Sequence, residues 1–319
     1  MVDPELIARA AELLRRGGLV ALPTETVYGL GADAENELAV RRIFAAKGRP
    51  PSHPLIVHVA DAASATSWAR DWTQSALRLA DAFWPGPLTL VLLRSERAGD
   101  AITGGQDTVA LRVPAHGVMQ QVLGAFAGGI AAPSANRFGR VSATTAEHVE
   151  ADLGESVDLI IDAGPCPIGI ESTIVDVSSE LPAVLRPGAI SREDLERVLG
   201  RPVSVRDSGT RAPGLMRSHY APRAGVELLA AEAVASRADA LRSGGKRVAV
   251  VAAEPIEHPI GATQFPIPSD AAGFGRELYA TFREIDRQGF DVILVVPPPS
   301  SGLGWAIRDR LARAASPRR

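Results

Sequence analysis

Leu19-Val20-Ala21-Leu22-Pro23-Thr24-Glu25-Thr26-Val27-Tyr28-Gly29-Leu30-Gly31 decides how this chain is read: an apolar run suited to a buried strand passes directly into hydroxyls, a carboxylate and two glycines. In open α/β sheets, ligands sit where strands end in such polar, turn-forming residues. Upstream, Asp3 can cap a helix that has Pro4 at its first position and that Gly17-Gly18 ends. Downstream, a helical pattern runs from about Asn36 to Lys47, where Gly48, Arg49 and two prolines stop it, and the β-rich Leu55 to Val59 follows. Helix, strand, polar exit, helix, strand is the beginning of an α/β fold.

The same alternation continues, irregularly. Strand patterns occupy Leu88 to Leu93, Thr108 to Val113, Gly129 to Ala132, Val157 to Asp162, Ser172 to Val177 and Ala183 to Arg186. Helical patterns at Thr73 to Phe83, Val118 to Phe126, Thr144 to Leu153 and Ser191 to Leu199 separate several of them. Adjacent strands near the end predict a mixed, twisted sheet rather than a purely parallel one. From Gly200 to Gly225 periodicity gives way to Pro, Gly, Ser and Arg, in a stretch longer than an ordinary connection. Five arginines there, Arg201, Arg206, Arg211, Arg217 and Arg223, stand against one acid, Asp207, and the segment is expected to act as a lid. Beyond it, strands at Val226 to Leu229, Arg247 to Ala252 and Asp291 to Val296 alternate with helices near Glu232 to Leu241, Ala271 to Gln288 and from Leu303. The expected organisation is a catalytic domain over 1–200, a linker or lid over 201–225, and a small, doubly wound, Rossmann-like α/β domain over 226–319.

Composition narrows the function classes. With 319 residues, 46% hydrophobic and 22% charged, the chain has the balance of a two-domain globular enzyme. Its apolar runs are far too short to span a bilayer and its N-terminus is acidic and helical, so no membrane association and a cytoplasmic location are expected. A single cysteine, Cys166, excludes an internal disulfide and any cysteine-based metal site, and is read as a small packing residue. A net charge of −3 provides no broad basic field for nucleic acid. Of the 34 cationic side chains only Lys47 and Lys246 are lysines, so each surviving lysine hints at a need for a compact ammonium.

The P-loop, dinucleotide, zincin and kinase patterns are all missing. Four other polar segments stand at strand exits. In the opening stretch, a pocket lined by hydroxyls and an ordinary turn are equally good readings. Lys47-Gly48-Arg49-Pro50, with His53 and His58 after it, offers an ammonium and a guanidinium for anionic oxygens, or simply a helix C-cap; the turn is expected to be solvent-accessible. Ala132-Pro133-Ser134-Ala135-Asn136 with Ser142, and Ile170-Glu171-Ser172-Thr173 followed by Arg186-Pro187-Gly188, place small polar groups beside apolar strands. His58 alternates with Leu55, Val57 and Val59, and taken alone reads as a satisfied core histidine; His116, His148 and His258 have no partner pattern.

Taken in order, PTETVYGL, KGRP with HPLIVHV, APSANRFGRVS, ESTIVDV and LRPG resemble the YrdC-like family of threonylcarbamoyl-adenylate synthases. APGLMRSHYAP (212–222) looks like the linker of its two-domain members, and GLGWAIRDRL (302–311) like their C-terminal signature, so nearly the whole chain is covered. The resemblance implies a nucleotidyltransferase that makes L-threonylcarbamoyl-AMP from L-threonine, bicarbonate and ATP, releasing pyrophosphate, for the threonylcarbamoyladenosine modification of tRNA. It implies a threonine pocket of Thr26, His58, Arg112 and Ser172. It also implies an ATP side of Lys47, Arg49, His53, Thr108, Ser134, Asn136, Ser142, Arg186 and His219, with Lys47 and Arg49 the catalytic cations. His53 stands where many family members have Asn. Mg²⁺ would arrive with the ATP phosphates rather than in a protein metal site. The partners implied are the downstream tRNA threonylcarbamoyl-transferase machinery and at most a weak tRNA contact.

The chemistry suits these residues, because a carbamate oxygen attacking an α-phosphate needs positioning, charge neutralisation and exclusion of water rather than an enzymic nucleophile. Two alternatives compete. The carbamoyl-adenylate-forming module of hydrogenase maturation shares the first domain but adds cysteine-rich zinc segments, which a single cysteine argues against. An RNA-binding module without synthetic activity would want a more basic chain.

Overall fold

In the computed structural model, which describes residues 2–205, 212–214, 216, 218–256 and 261–317, the chain divides into two compact units. The first comprises Met1–Phe138 and Ser142–Leu215, the second Gly139–Val141 and Met216–Arg319.

The helices of the first unit are α1 (Pro4–Arg15), α2 (Glu37–Lys47), α3 (Ala62–Ala65), α4 (Gln74–Phe83), α5 (Asp100–Thr103), α6 (Gly117–Phe126), α7 (Ala146–Leu153) and α8 (Arg192–Leu199). Its strands are β1 (Val20–Leu22), β2 (Gly29–Asp33), β3 (Ile56–His58), β4 (Leu88–Leu93), β5 (Thr108–Arg112), β6 (Ile130–Ala131), β7 (Leu159–Ile160), β8 (Thr173–Asp176), β9 (Ala183–Arg186) and β10 (Ser204–Val205). They form one sheet in the order β10-β9-β8-β4-β5-β3-β6-β2-β1-β7, with parallel and antiparallel neighbours mixed as expected. The Asp3 cap and the Gly48 stop read from sequence are present, the Asp3 carboxylate accepting from Glu5 N at 2.9 Å and Gly48 closing α2 in the left-handed conformation with φ 63°; at the start of α2, Asn36 Oδ1 also accepts from Ala39 N at 3.1 Å. Ile7, Ala10 and Leu14 of α1 lie against Met119, Val122 and Leu123 of α6, covering the β1 side of the sheet.

The second unit is a fully parallel four-stranded sheet in the order β11-β14-β12-β13, built from β11 (Gly225–Leu228), β12 (Val248–Ala252), β13 (Thr263–Pro266) and β14 (Val292–Val295). Helices α9 (Ala231–Ser243), α10 (Ala271–Gln288) and α11 (Leu303–Ala315) complete it. Val234, Ala238, Val248, Val250 and Leu294 form its core on the α9 side.

Three of these strands carry no clear pattern in the sequence. In β2 two glycines and an exposed end erase the apolar alternation, and its order comes from pairing with β1 and β6. Strand β13 is a half-exposed sheet edge, and β10 is two exposed residues beside β9 within the expected lid. Of that lid, Arg206, Asp207, Arg211 and Arg217 lie outside the described residues, as does His258. His116 and His148 do have partners: His116 Nδ1 caps α6 at Val118 N, and His148 Nδ1 meets Thr144. Cys166 is buried and its thiol pushed up to about 12 by that burial, in keeping with a packing role.

Candidate active site

Strand register places the candidate residues. β3 runs parallel to β5 with His58 beside Arg112, and β5 runs antiparallel to β4 with Leu90 opposite Leu111, so Thr89 falls opposite Arg112. Thr89 in turn pairs with Ile174 of β8, and Ile174 with Arg186 of β9. His58, Arg112 and Thr89 therefore share one lateral row, and residues side by side in register project from the same face. Two residues along each strand on that face, Ile56, Ala110 and Val91 join Ile174 and Leu185 in a small apolar cluster.

At the His58 end the Pro23 to Tyr28 loop closes over the row. Thr24 organises it: its hydroxyl accepts from the amides of Thr26 (3.1 Å) and Val27 (3.2 Å), donates to Val27 O at 2.6 Å, and lies 2.9 Å from Thr26 Oγ1. Backbone bonds from Ile168 and Gly169 to the carbonyls of Glu25 and Thr26 fix it from the other side. Arg112 then donates from Nη1 to Thr26 Oγ1 (2.9 Å) and from Nε to Gly86 O (3.2 Å). Its Nη2 stands 2.7 Å from Glu25 Oε1, a buried ion pair whose angles fall outside hydrogen-bond geometry. Burial pushes the Glu25 carboxyl up, but the Arg112 charge, together with polar contacts from the Arg112 side chain and the backbone of Glu25 and Ala115, holds the group below its ordinary value.

His58 is the clearest departure from expectation. It is buried, yet its Nδ1 has no hydrogen-bond partner among the described residues, so it is not a satisfied core histidine. Burial, and then the neighbouring Arg112 charge, lower its pKa to about 3, which leaves a neutral imidazole with an open polar atom. Next in the row, the Thr89 and Ser172 hydroxyls meet at 2.8 Å. Arg186 donates to Ser172 O (2.9 Å), Ser172 Oγ (3.2 Å) and Pro213 O (3.1 Å), so it lies at the Ser172 end. Gly188 permits this approach, since a Cβ there would come within 2.2 Å of Thr173 N. Ser142 Oγ donates to Glu171 Oε1 at 2.5 Å, beside the same turn.

The other end of β3 gathers a second group. Lys47 Nζ donates to the carbonyls of Ser134 and Asn136, each at 2.5 Å, and Phe138 N donates to Lys47 O. Arg49 donates to Pro54 O (2.9 Å) and lies 5.7 Å over the Phe138 ring, against whose edge His53 also stacks. Gly48 at the tip of the turn is exposed, but the Lys47 and Arg49 side chains are buried rather than solvent-accessible as the sequence suggested. The cause is the αL cap at Gly48, which folds Arg49 back beneath the 134–138 loop. Burial first, and then the Arg49 charge, hold the Lys47 pKa well below its usual value. Lys246, the other lysine, is simply exposed.

Thr108 opens β5, opposite Leu93 and level with Pro54 by the β3–β5 register, four residues from Arg112. At about 3.3 Å per residue the two polar ends are roughly 13 Å apart, with the Ile56–Ala110 pair between them. His219 belongs to the second unit, where it is buried against the Tyr220 ring at 4.1 Å and its amide donates to Arg313 O. Sequence reasoning missed two members of the row, Glu25 and Thr89. The signal for Thr89 was faint but present, one hydroxyl in the otherwise apolar run Leu88 to Leu93.

Two family models match successive parts of the chain. Residues 12–188 match the Sua5, YciO and YrdC family model, described as telomere recombination, and residues 190–316 match the threonylcarbamoyl-AMP synthase C-terminal domain. The threonylcarbamoyl-AMP synthase of Pyrococcus abyssi is 41% identical, with 96% of this chain and 93% of that protein aligned. That of Bacillus subtilis is 39% identical over 99% and 94%. A crystal structure of P. abyssi Sua5 complexed with L-threonine, 39% identical, superposes with a TM-score of 0.93 over 99% of this chain and 95% of that one.

Proposed function

The chain belongs to the threonylcarbamoyl-AMP synthase family, carrying both of its domain patterns in order, and from that premise we propose how its own residues divide the work. It synthesises threonylcarbamoyl-AMP for the threonylcarbamoyladenosine modification of tRNA. The substrates assigned are L-threonine, bicarbonate and ATP. The α-ammonium of threonine gives up a proton to solvent, the amine so formed joins the bicarbonate carbon as water leaves, and an oxygen of the resulting carbamate attacks the α-phosphate as the bond to pyrophosphate breaks.

The observation that carries the residue assignment is the pair of polar ends on β3 and β5. Thr26, His58, Arg112 and Ser172 at one end bind threonine: Arg112 faces the carboxylate, and the open His58 Nδ1 offers a hydrogen bond that no described residue takes. The Ile56, Val91 and Ala110 cluster supplies an apolar surface for the methyl group. Lys47, Arg49, His53, Ser134 and Asn136 at the other end take the ATP phosphates and nucleoside, with Thr108 level with them. Arg186 and Ser142, held against Ser172 and Glu171, stand where carbamate and α-phosphate meet and stabilise charge as it moves to pyrophosphate.

Mg²⁺ on the phosphates would neutralise charge there. In this reading its ligands are mainly the phosphate oxygens of ATP. Burial of nearly all these side chains keeps water from the labile carbamate. The adenylate then passes to the tRNA threonylcarbamoyl-transferase machinery. No helix among the described residues is long and apolar enough to cross a membrane.

The test is pyrophosphate release from ATP and Mg²⁺ with threonine or bicarbonate omitted in turn. Product is expected only from the complete mixture, and equal turnover without threonine would overturn the assignment.

A further inference from the structure

Glu25 has no part in the assignments above, yet it is buried at the threonine end with its carboxylate against Arg112. We propose that Glu25 is the ammonium-binding residue of the threonine pocket. In the empty enzyme it serves as counter-ion to Arg112, and on binding it passes to the substrate's α-ammonium while Arg112 takes the α-carboxylate. The proposal rests on the reading of Thr26, His58, Arg112 and Ser172 as the threonine pocket.

Charge and geometry lead to it together. A free amino acid is a zwitterion, so a pocket shut off from water must supply one anion and one cation or leave a buried charge uncompensated. The described end of the row holds one such pair, Glu25 and Arg112; the second guanidinium there, Arg186, is bonded to Ser172 and Pro213, and the other groups are neutral: the Thr26, Thr89 and Ser172 hydroxyls and the His58 imidazole. The ion pair is not a finished structural bond. Arg112 makes well-formed bonds through Nε and Nη1, whereas Nη2 stands 2.7 Å from Glu25 Oε1, and that contact and the buried Oε2 both lack hydrogen-bond geometry. A permanent structural pair would use those donors and acceptors, as the exposed Arg97 does with Glu35 through two hydrogen bonds of 3.0 and 2.7 Å. The Thr24-organised turn and the bonds from Ile168 and Gly169 hold the Glu25 backbone in place, so exchange of partner needs movement only at the side-chain end. Thr26, on the same turn, already accepts from Arg112, which keeps the guanidinium aimed at the pocket when Glu25 turns away.

The discriminating experiment compares two ligands. 3-Hydroxybutyrate is threonine without its amino group and keeps the carboxylate, hydroxyl and methyl. Binding of L-threonine and of 3-hydroxybutyrate is measured by calorimetry on the full-length wild type, on Glu25→Gln and on the conservative variant Glu25→Asp. The expectation is that Glu25→Gln weakens threonine on the order of 10- to 100-fold, the loss typical of one charge-assisted contact. 3-Hydroxybutyrate should bind Glu25→Gln as well as or better than wild type, because its carboxylate no longer meets a buried anion. Glu25→Asp should recover part of the threonine affinity. Equal losses for both ligands would show that Glu25 only shapes the pocket, and unchanged threonine binding would show that it does not touch the ammonium; either result overturns the proposal. His58→Asn and Ser172→Ala are measured in parallel. If both bind threonine as wild type does, the pocket reading itself has failed and the proposal falls with it, an outcome distinct from a failure of Glu25 alone. Should Glu25→Gln not fold, Glu25→Asp carries the test, with a selective loss of threonine over 3-hydroxybutyrate expected and a parallel loss decisive against it.

Discussion

Replacing His58 with Asn should remove a defined part of the acid sensitivity of the first unit. His58 is buried with a native pKa of about 3, whereas an unfolded histidine titrates near 6.5. Between those values the unfolded chain binds more protons than the native one, so stability rises with pH across the window and is lost as pH falls below about 6.5. Integrating from pH 7 to pH 5 gives a loss of about 2 kcal/mol from this one residue. Carboxylates of the unfolded chain begin to protonate at the lower end of that interval, but they are common to both proteins and cancel in the difference. The assay is urea denaturation followed by tryptophan fluorescence. Trp68, Trp72 and Trp84 report the first unit, and a Trp305→Phe background silences the second. With urea slopes of roughly 1 to 3 kcal/mol per molar, the parent midpoint should drop by about 1 M between pH 7 and pH 5, and that of His58→Asn by distinctly less. Other histidines, such as the half-buried His116, are common to both proteins and cancel in the difference. Equal losses in both would mean that His58 is solvated or charged in the native state, and the account of a neutral imidazole with an open Nδ1 would be refuted.

Lys47→Ala should lose both ATP affinity and stability, because it removes the two hydrogen bonds that the buried Nζ makes to the Ser134 and Asn136 carbonyls, at about 1 kcal/mol each; an unchanged thermal melt would contradict the burial of Lys47. Since burial and Arg49 depress the Lys47 pKa in the empty enzyme and phosphate charge would raise it, ATP binding should take up a proton and weaken as pH rises through that interval. Calorimetry in buffers of different ionisation enthalpy reads this uptake, and its absence at every pH below the ordinary lysine range would refute it. Ser172→Ala should raise KM for threonine while moving KM for ATP little, at a stability cost of about 1 kcal/mol for the lost Thr89 contact; a change confined to ATP would reassign the residue. Serine should be the poorer substrate by about 1 to 3 kcal/mol in kcat/KM, and parity with threonine would mean that the Ile56, Val91 and Ala110 cluster does not meet the methyl group.

Local chemistry makes much of this protein legible from the order of its residues. Asp3, Asn36 and Gly48 announce the ends of α1 and α2 because capping is settled within a few residues, and apolar runs announce β4, β5, β8 and β9 because their periodicity is a property of the chain itself. The same local character exposes the polar strand exits, and their order along the chain points to the family. Strands β2 and β13 are hidden because glycine content or an exposed edge removes the pattern, and only pairing with neighbours defines them. Burial of Lys47 and Arg49 is likewise invisible, since it depends on a loop some 90 residues away folding over the α2 terminus. The partnership of Glu25 with Arg112 and the open nitrogen of His58 come only from the tertiary structure. Charge compensation and hydrogen-bond satisfaction belong to pairs of groups brought together by strand register, and a sequence orders groups without saying which of them meet.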